Sequence, residues 1–368
     1  MTEALSWHER AEALADDLVA DGKLSSTAWR KALVEVPRHH FVPRFYLRRP
    51  GMPGWDPVDA DDPGTFDQWW MRMYANTSLV TQIGPVPDGG RDRTGPVSSS
   101  SAPGLMTRML EMLDISDRMR VLEIGTGTGY NAALLTHRLG DKNVFSIDID
   151  PCLVASASRR LADLGYRPTL AVADGASGLA EYAPYDGIIV TCAVRRVPWA
   201  LVEQTADNGW LLLDVKIHAA EGNLVLLHRQ DGRLVGRFDN GAATFMQMRT
   251  TEFTANHVSS PERDRENVAH RVTDLNLARP WEHRILWFLL HLKTCPGGWS
   301  SATQRIPTLA ASVRCSSTAL TDHGARSAPP TTAPTMSGRP DLGTCGTRSR
   351  TSTTYGQQPG GRAGNGLG

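Results

Sequence analysis

VLEIGTGTGY, residues 121–130, joins a short apolar run to three alternating glycines, Gly125, Gly127 and Gly129, and then to the helix-like YNAALLTHRL, which stops at Gly140. Glycine lacks a Cβ, so it turns the chain tightly and lets a ligand lie against the main chain. Strand, glycine turn and helix in that order predict the first unit of a ligand-binding sheet. The pattern repeats downstream. VFSIDI (144–149) precedes CLVASASRRLADL, which stops at Gly165; TLAVA (169–173) ends in Asp174-Gly175; YDGIIVTCA leads through Val197-Pro198 into WALVEQTA; and WLLLDV (210–215) follows. Apolar runs alternating with amphipathic segments specify parallel strands covered on both faces. LVLLHRQDGRLVGRF then turns at Asp231-Gly232 as a hairpin. The expected fold class is α/β: a doubly wound, mostly parallel sheet with an antiparallel terminal hairpin.

Upstream, residues 8–35 predict helices, with Leu14, Leu18 and Val19 on one face, then Trp29, Leu33 and Val36 after a break at Ser25-Ser26. In VPRHHFVPRFY, prolines bracket an aromatic centre and favour extended backbone before each ring. Residues 51–64, rich in Gly, Pro and Asp, are expected to be a surface loop. Downstream, ARPWEHRILWFLLHLK (278–293) predicts a helix with Trp281, Ile285, Phe288, Leu289 and Leu292 along a face. Residues 295–368 contain no lysine and only Asp322 and Asp341 as acids, a composition expected to be disordered. The abrupt change after a well-patterned helix is also what translation in a shifted frame would produce. The expected organisation is therefore an N-terminal helical, substrate-side region (1–80), a ligand-binding α/β domain (81–240), an extension with a helix (241–294) and a low-complexity tail (295–368).

Lys plus Arg equals Asp plus Glu at 39 each, so no global field draws in nucleic acid or anionic lipid. Five cysteines form no CxxC pair and no zinc-finger spacing with histidine, so no metal site is expected. With no signal peptide pattern at the start and no window of about 18 apolar residues, a cytoplasmic protein is expected.

Acids stand at the ends of the apolar runs: Glu123 just before the glycine turn, Asp148 at the end of the next run, and Asp174, followed by Gly175, after the third. Open α/β sheets bind ligands at this carboxyl rim, and an acid after the second strand suits ribose hydroxyls. Tyr130 stands where a dinucleotide fingerprint needs a small residue, and Glu123 would repel a pyrophosphate yet accept from ammonium or sulfonium-bearing ligands. Together these residues point to a nucleoside-containing cofactor other than a dinucleotide.

The chain resembles S-adenosylmethionine-dependent methyltransferases and, within them, the protein-L-isoaspartate O-methyltransferase family. VPRHHFVP (36–43), SSSAP (99–103), VLEIGTGTGY (121–130), SIDID (146–150), ADGA (173–176), APYDGIIV (183–190) and VPWALVEQ (197–204) carry the resemblance, which covers roughly residues 10–240. It implies a Rossmann-like class I methyltransferase fold, S-adenosyl-L-methionine as cofactor, a protein or peptide as partner, and methylation of an aspartyl or isoaspartyl carboxylate. Glu123, Gly125, Gly127, Gly129, Asp148, Asp174 and Gly175 would then hold the cofactor. The family's Thr-Ile-Ser-x-Pro element falls on residues 99–103, which gives Ser101 the role of the active-site hydroxyl beside the substrate carboxylate. Read without the resemblance, the serine run suits the cap of a helix beginning near Gly104.

Departures from the family cluster on the substrate side: PVPDGGRDRTGPV after Ile83-Gly84, the Trp-rich FDQWWMRMY (66–74), and Tyr74-Ala75-Asn76 where an acid is common. Such enlargements resemble enzymes that tailor ribosomally made peptides rather than repair isoaspartate. Trp69, Trp70 and Tyr74 are expected in the core, Cys192 is expected to be a packed thiol, and His39 and His40 are expected to be structural. A nucleic-acid methyltransferase would carry an Asn/Asp-Pro-Pro-aromatic element where this chain has Thr191-Cys192-Ala193-Val194. The presence of Glu123, Asp148 and Asp174 argues against a non-catalytic binding module.

Overall fold

Ser6 and Glu9 cap each other: the Ser6 hydroxyl accepts from the Glu9 amide, and the Glu9 carboxylate accepts from the Ser6 amide at 2.7 Å. This reciprocal cap starts α1 (Trp7–Ala20), whose buried face is Ala11, Leu14, Ala15 and Leu18. Val19, expected on that face, is exposed, since one residue turns a helix by about 100°. The computed structural model describes residues 6–88, 91–216 and 222–250; the helix expected over 278–293 and the tail 295–368 lie outside them.

Helix α2 (Thr27–Glu35) buries Trp29 and Leu33, and the short α3 (Arg38–Phe41) buries both its terminal residues. Strands β1 (Arg44–Arg48) and β2 (Trp55–Asp59) then pair antiparallel, where a loop was expected over 51–64. The hairpin is held by Phe45 opposite Val58 and by the Arg44–Asp59 and Arg49–Asp56 ion pairs. Val58 is the only fully buried residue of β2, so the strand shows no apolar alternation in sequence. After α4 (Phe66–Met73), strands β3 (Leu79–Asp88) and β4 (Arg91–Ser100) pair antiparallel from Leu79 opposite Ser100 to Asp88 opposite Arg91. The long insert is therefore a β-ribbon, and these strands form a sheet of order β2-β1-β3-β4. Helix α5 (Pro103–Met112) has Ala102 at its N-cap position and no side-chain cap; the Gly104 amide donates instead to Asn76 Oδ1 at 2.9 Å. The serine run thus ends a strand and does not cap the helix.

The second sheet is built from β5 (Val121–Ile124), α6 (Tyr130–Leu139), β6 (Val144–Asp148), α7 (Pro151–Asp163), β7 (Thr169–Val172), β8 (Tyr185–Val194), α8 (Trp199–Gln204), β9 (Thr205–Val215), β10 (Gly222–Gln230) and β11 (Arg233–Ala243). Its order is β11-β10-β9-β8-β5-β6-β7, parallel from β7 to β9 and antiparallel through β10 and β11. The α/β class, the parallel sheet and the terminal hairpin are as the sequence predicts. Strands wind outward from β5 to β7 and return at β8 on its other side, which leaves a crevice at the carboxyl ends of β5 and β8. Alternate residues of β5 pack into different cores: Val121 joins the cluster of α1, α2 and α6, and Leu122 joins Ile147, Ile188 and Leu211.

Arg38, with 0% exposure, ties the N-terminal elements to this crevice. Its Nη1 donates to the carbonyls of Met73 (3.0 Å) and Ala75 (3.2 Å), and its Nη2 donates to those of Thr77 (3.0 Å) and Ser101 (3.1 Å). Burial lowers its pKa to about 10, so it stays protonated at neutral pH. Arg38→Met strands these buried carbonyls, and urea unfolding should register a loss of about 3 kcal/mol or more; a change below about 1 kcal/mol would show that the loop is held by other contacts.

Candidate active site

The turn after β5 is fixed by the strand beside it. The Gly125 and Thr126 amides both donate to the Ile147 carbonyl, at 2.8 and 3.1 Å. Gly125 has φ +103°, and a Cβ there would stand 2.5 Å from Thr191 Oγ1, which donates to the Ile124 and Gly125 carbonyls. A side chain at this position would expel that hydroxyl and strain the backbone. Gly127, with φ +52°, points its amide at Asp148 Oδ2 (3.0 Å), and Gly129 sits at the start of α6. A Cβ on Gly127 would project toward β4, 3.6 Å from the Ser99 carbonyl, into the space where a ligand would lie.

Glu123 is fully buried, and both its oxygens are engaged: Oε1 accepts from Asn131 Nδ2 at 2.7 Å and Oε2 from the Ser146 hydroxyl. Ser146 in turn lies 2.7 Å from Thr126 Oγ1. Glu123 therefore anchors the turn from below, and Asn131 Oδ1 beside it is left as a buried acceptor without a partner. Asn131 lines the cleft and was invisible in the sequence, since nothing marks a helical Asn as facing a site. Asp148 also accepts the Asp150 amide (3.1 Å), and Asp174 accepts the Ala176 amide (2.9 Å). Gly175 packs so tightly that a Cβ there would come within 2.6 Å of Ile124 and 3.3 Å of Met248.

Opposite the turn stands the end of β4. Ser98 and Ser100 are buried, whereas Ser99 and Ser101 are half-buried, as the two-residue period of an extended chain requires. The four serines border one cleft with Glu123, Gly125, Gly127, Asn131, Asp148 and Gly175. That cleft holds about 870 Å³ with its open mouth included, the size of a small-molecule site. The hydroxyls of Ser99 and Ser101 make no hydrogen bond to another described residue, while the Ser101 carbonyl is held by Arg38.

The remaining wall was not expected. After β11 the chain returns over the carboxyl end of the sheet: the Ala193 amide donates to the Met246 carbonyl (2.8 Å) and the Met248 amide to the Ala193 carbonyl (2.7 Å). Phe245 donates its amide to the buried Asp214 (3.2 Å). Met246, Met248 and Arg249 thereby line the cleft, past the boundary expected at 240. Cys192 lines it too, half-buried, with burial pushing its thiol pKa up. Trp69 is buried and donates to the Val42 carbonyl at 2.8 Å; Tyr74 Oη lies 2.6 Å from His39 Nδ1. Trp69 and Tyr74 are therefore core, as expected, whereas Trp70 is only partly buried against it, and the half-buried His39 is structural, as expected.

Residues 73–250 match the family described as Protein-L-isoaspartate(D-aspartate) O-methyltransferase (PCMT). The chain is 30% identical to the protein-L-isoaspartate O-methyltransferase of Gloeobacter violaceus over 223 residues, 60% of this chain and 90% of that protein. It is 30% identical to that of Pyrococcus horikoshii over 239 residues, 64% of this chain and 91% of that protein. The chain belongs to the protein-L-isoaspartate O-methyltransferase family. A shorter match of 44% identity over 117 residues, to the Fervidobacterium nodosum protein, covers 31% of this chain and 59% of that relative.

The donor set fits the S-adenosylmethionine of a protein-L-isoaspartate O-methyltransferase. Two carboxylates, Glu123 and Asp148, and the free Asn131 acceptor line the cleft, whereas Asp174 and Gly129 are not among its lining residues; this set suits a ligand with an ammonium, a sulfonium and a ribose diol better than one with phosphates. Burial, opposed by the Ser146 and Asn131 hydrogen bonds, raises the pKa of Glu123 to about 7. A carboxyl raised in the folded state adds stability below its unfolded value near 4.5 and loses it as pH rises through about 7. The melting temperature of the wild type should therefore fall, relative to Glu123→Gln, between about pH 5 and pH 8. Parallel profiles in scanning fluorimetry would show that Glu123 titrates as it does in water.

Proposed function

We propose that the protein methylates the carboxylate of an aspartyl or isoaspartyl residue in a protein or peptide, with S-adenosyl-L-methionine as donor. The observation that carries the reading is one cleft with the glycine turn and its carboxylates on one wall and the unpaired Ser99 and Ser101 hydroxyls on the other. S-Adenosylmethionine supplies an electrophilic methyl: a carboxylate oxygen forms the new C–O bond while the S–C bonding pair returns to sulfur.

The protein's residues align and exclude water. In this reading Asp148, held by the Gly127 amide, takes the ribose hydroxyls, Asn131 Oδ1 with Glu123 takes the ammonium, and Asp174, which is not among the cleft-lining residues, is assigned the adenine amino group. A carboxylate is already ionised at neutral pH, so no strong base is required and rate comes from alignment and desolvation. Ser101 orients one carboxylate oxygen while the other attacks, and Arg38 holds its backbone in place. The methyl ester carries a methoxide leaving group that the free carboxylate lacks, so the following backbone nitrogen can form a C–N bond to the ester carbonyl while the C–O bond breaks, and the amide proton leaves with the methoxide as methanol to give a succinimide.

A second reading is a dedicated enzyme of a ribosomal peptide pathway rather than general repair. The extended β3–β4 ribbon and the β1–β2 hairpin support it, because both belong to the sheet whose β4 carries the serine run into the cleft.

Mass spectrometry with labelled S-adenosylmethionine separates the readings, using a generic isoaspartyl peptide and any precursor peptide encoded beside this gene. A gain of one methyl on the precursor alone, or its later loss as methanol, supports tailoring, and a gain on the generic peptide supports repair. No transfer to either refutes the proposal. Ser101→Ala should slow transfer on the order of 10²-fold with cofactor affinity unchanged; an equal loss in Ser99→Ala alone would assign the role to Ser99.

A further inference from the structure

Three arginines stand on two chain segments that meet beyond the carboxyl end of β8, one of which lines the cleft. Arg195 and Arg196 directly follow β8 and are exposed, and neither makes an ion pair or hydrogen bond with another described residue. Arg249 leaves the same point of the sheet, because Met248 is bonded to Ala193, two residues before Arg195. Its Nη2 lies 3.8 Å from Asp148 Oδ1, and its side chain is 42% exposed. That is a loose surface pair, too long for a hydrogen bond, and it leaves the guanidinium available. Lys216, after β9, adds a cation that donates to the Phe245 carbonyl at 3.2 Å. On these elements the acids at this end of the sheet are Asp148, which ends β6, and Asp214 near the end of β9, which is buried and accepts the Phe245 amide; Asp186 and Asp207 stand at the opposite, amino ends of β8 and β9, where they accept from the Arg120 amide and face Arg229.

The chain as a whole carries equal numbers of acids and bases, so the excess of positive charge at this rim is local. Exposed guanidinium groups without a hydrogen-bonded partner among the described residues, as Arg195 and Arg196 are, suit carboxylates, which they bind with two parallel hydrogen bonds. Trp199 is also exposed at this rim, and its indole donates to the Glu203 carboxylate at 2.9 Å, which offsets part of the local positive charge.

We propose that Arg195, Arg196 and Arg249 form a recognition rim for an acidic peptide, reading Asp or Glu residues that flank the residue to be methylated. This rests on the methyltransferase reading and names its substrate class. Charges at such a rim select partners and speed encounter, and their effect fades with salt.

The test uses full-length protein and fluorescein-labelled peptides with one central aspartate or isoaspartate and acidic, neutral or basic flanks. Binding is read by anisotropy with and without S-adenosylhomocysteine, and methyl transfer by mass spectrometry. Acidic flanks should bind at least about tenfold tighter than neutral ones at low salt, with the advantage shrinking as salt rises. The double variant R195E/R196E should abolish this preference and leave its melting temperature and calorimetric affinity for S-adenosylmethionine unchanged. Equal binding across the series, a preference that survives charge reversal, or tighter binding of a single-stranded oligonucleotide would overturn the rim. Transfer at equal rates to all flanks defeats the rim and leaves the methyltransferase reading standing. A charge-dependent acidic preference with no transfer to any peptide supports the rim and defeats that reading.

Discussion

A carboxylate with no solvent exposure, Glu123, sits at the centre of the parallel sheet, and the shape of the site depends on how it is satisfied. Leaving an ionisable group in the core without partners would cost several kcal/mol. Here Ser146 from the neighbouring strand and Asn131 from the following helix both donate to it, and Ser146 reaches on to Thr126 in the turn. One buried group thereby fixes β5, β6, α6 and the glycine turn relative to each other. Apart from the threonine hydroxyls the turn is held by its main chain, whose amides donate to Asp148 and to the Ile147 carbonyl.

The opposite wall is held by a buried cation, Arg38. Arg38 has no carboxylate partner among its hydrogen bonds and is satisfied by main-chain carbonyls of the segment after α4 and of the β4 end. A planar guanidinium can collect several carbonyls at once, which an ammonium cannot do in the same geometry. The N-terminal elements thus set where Ser101 stands, although they are distant from it in sequence. The arrangement gives two walls that face each other across one cleft at the carboxyl ends of β5 and β8.

Much of this was legible in the sequence for physical reasons. Parallel strands buried on both faces leave continuous apolar runs, and VLEI, VFSIDI and YDGIIVTCA show them. Helix ends at Gly140 and Gly165 and the Asp231-Gly232 turn carry their own backbone chemistry. The misses share a cause: they depend on partners remote in the chain. The β2 strand buries only Val58 and so shows no alternation, and the serine run resembles a cap until its register with β3 is known. Asn131, Arg38 and the Met246–Arg249 segment enter the site through tertiary contacts alone, and nothing local in those residues announces it. Choosing Ser101 required the resemblance, and the strand's two-residue period explains why only Ser99 and Ser101 are left to compete.

The account rests on the crevice between β5 and β8 being the seat of an adenosyl cofactor held by Asp148. Isothermal titration of the full-length protein with S-adenosylmethionine tests that directly. One site per chain is expected, with an affinity reduced at least about tenfold, or roughly 1.4 kcal/mol, in Asp148→Ala. Absence of binding by the folded wild-type protein, or an affinity indifferent to Asp148→Ala, would contradict it.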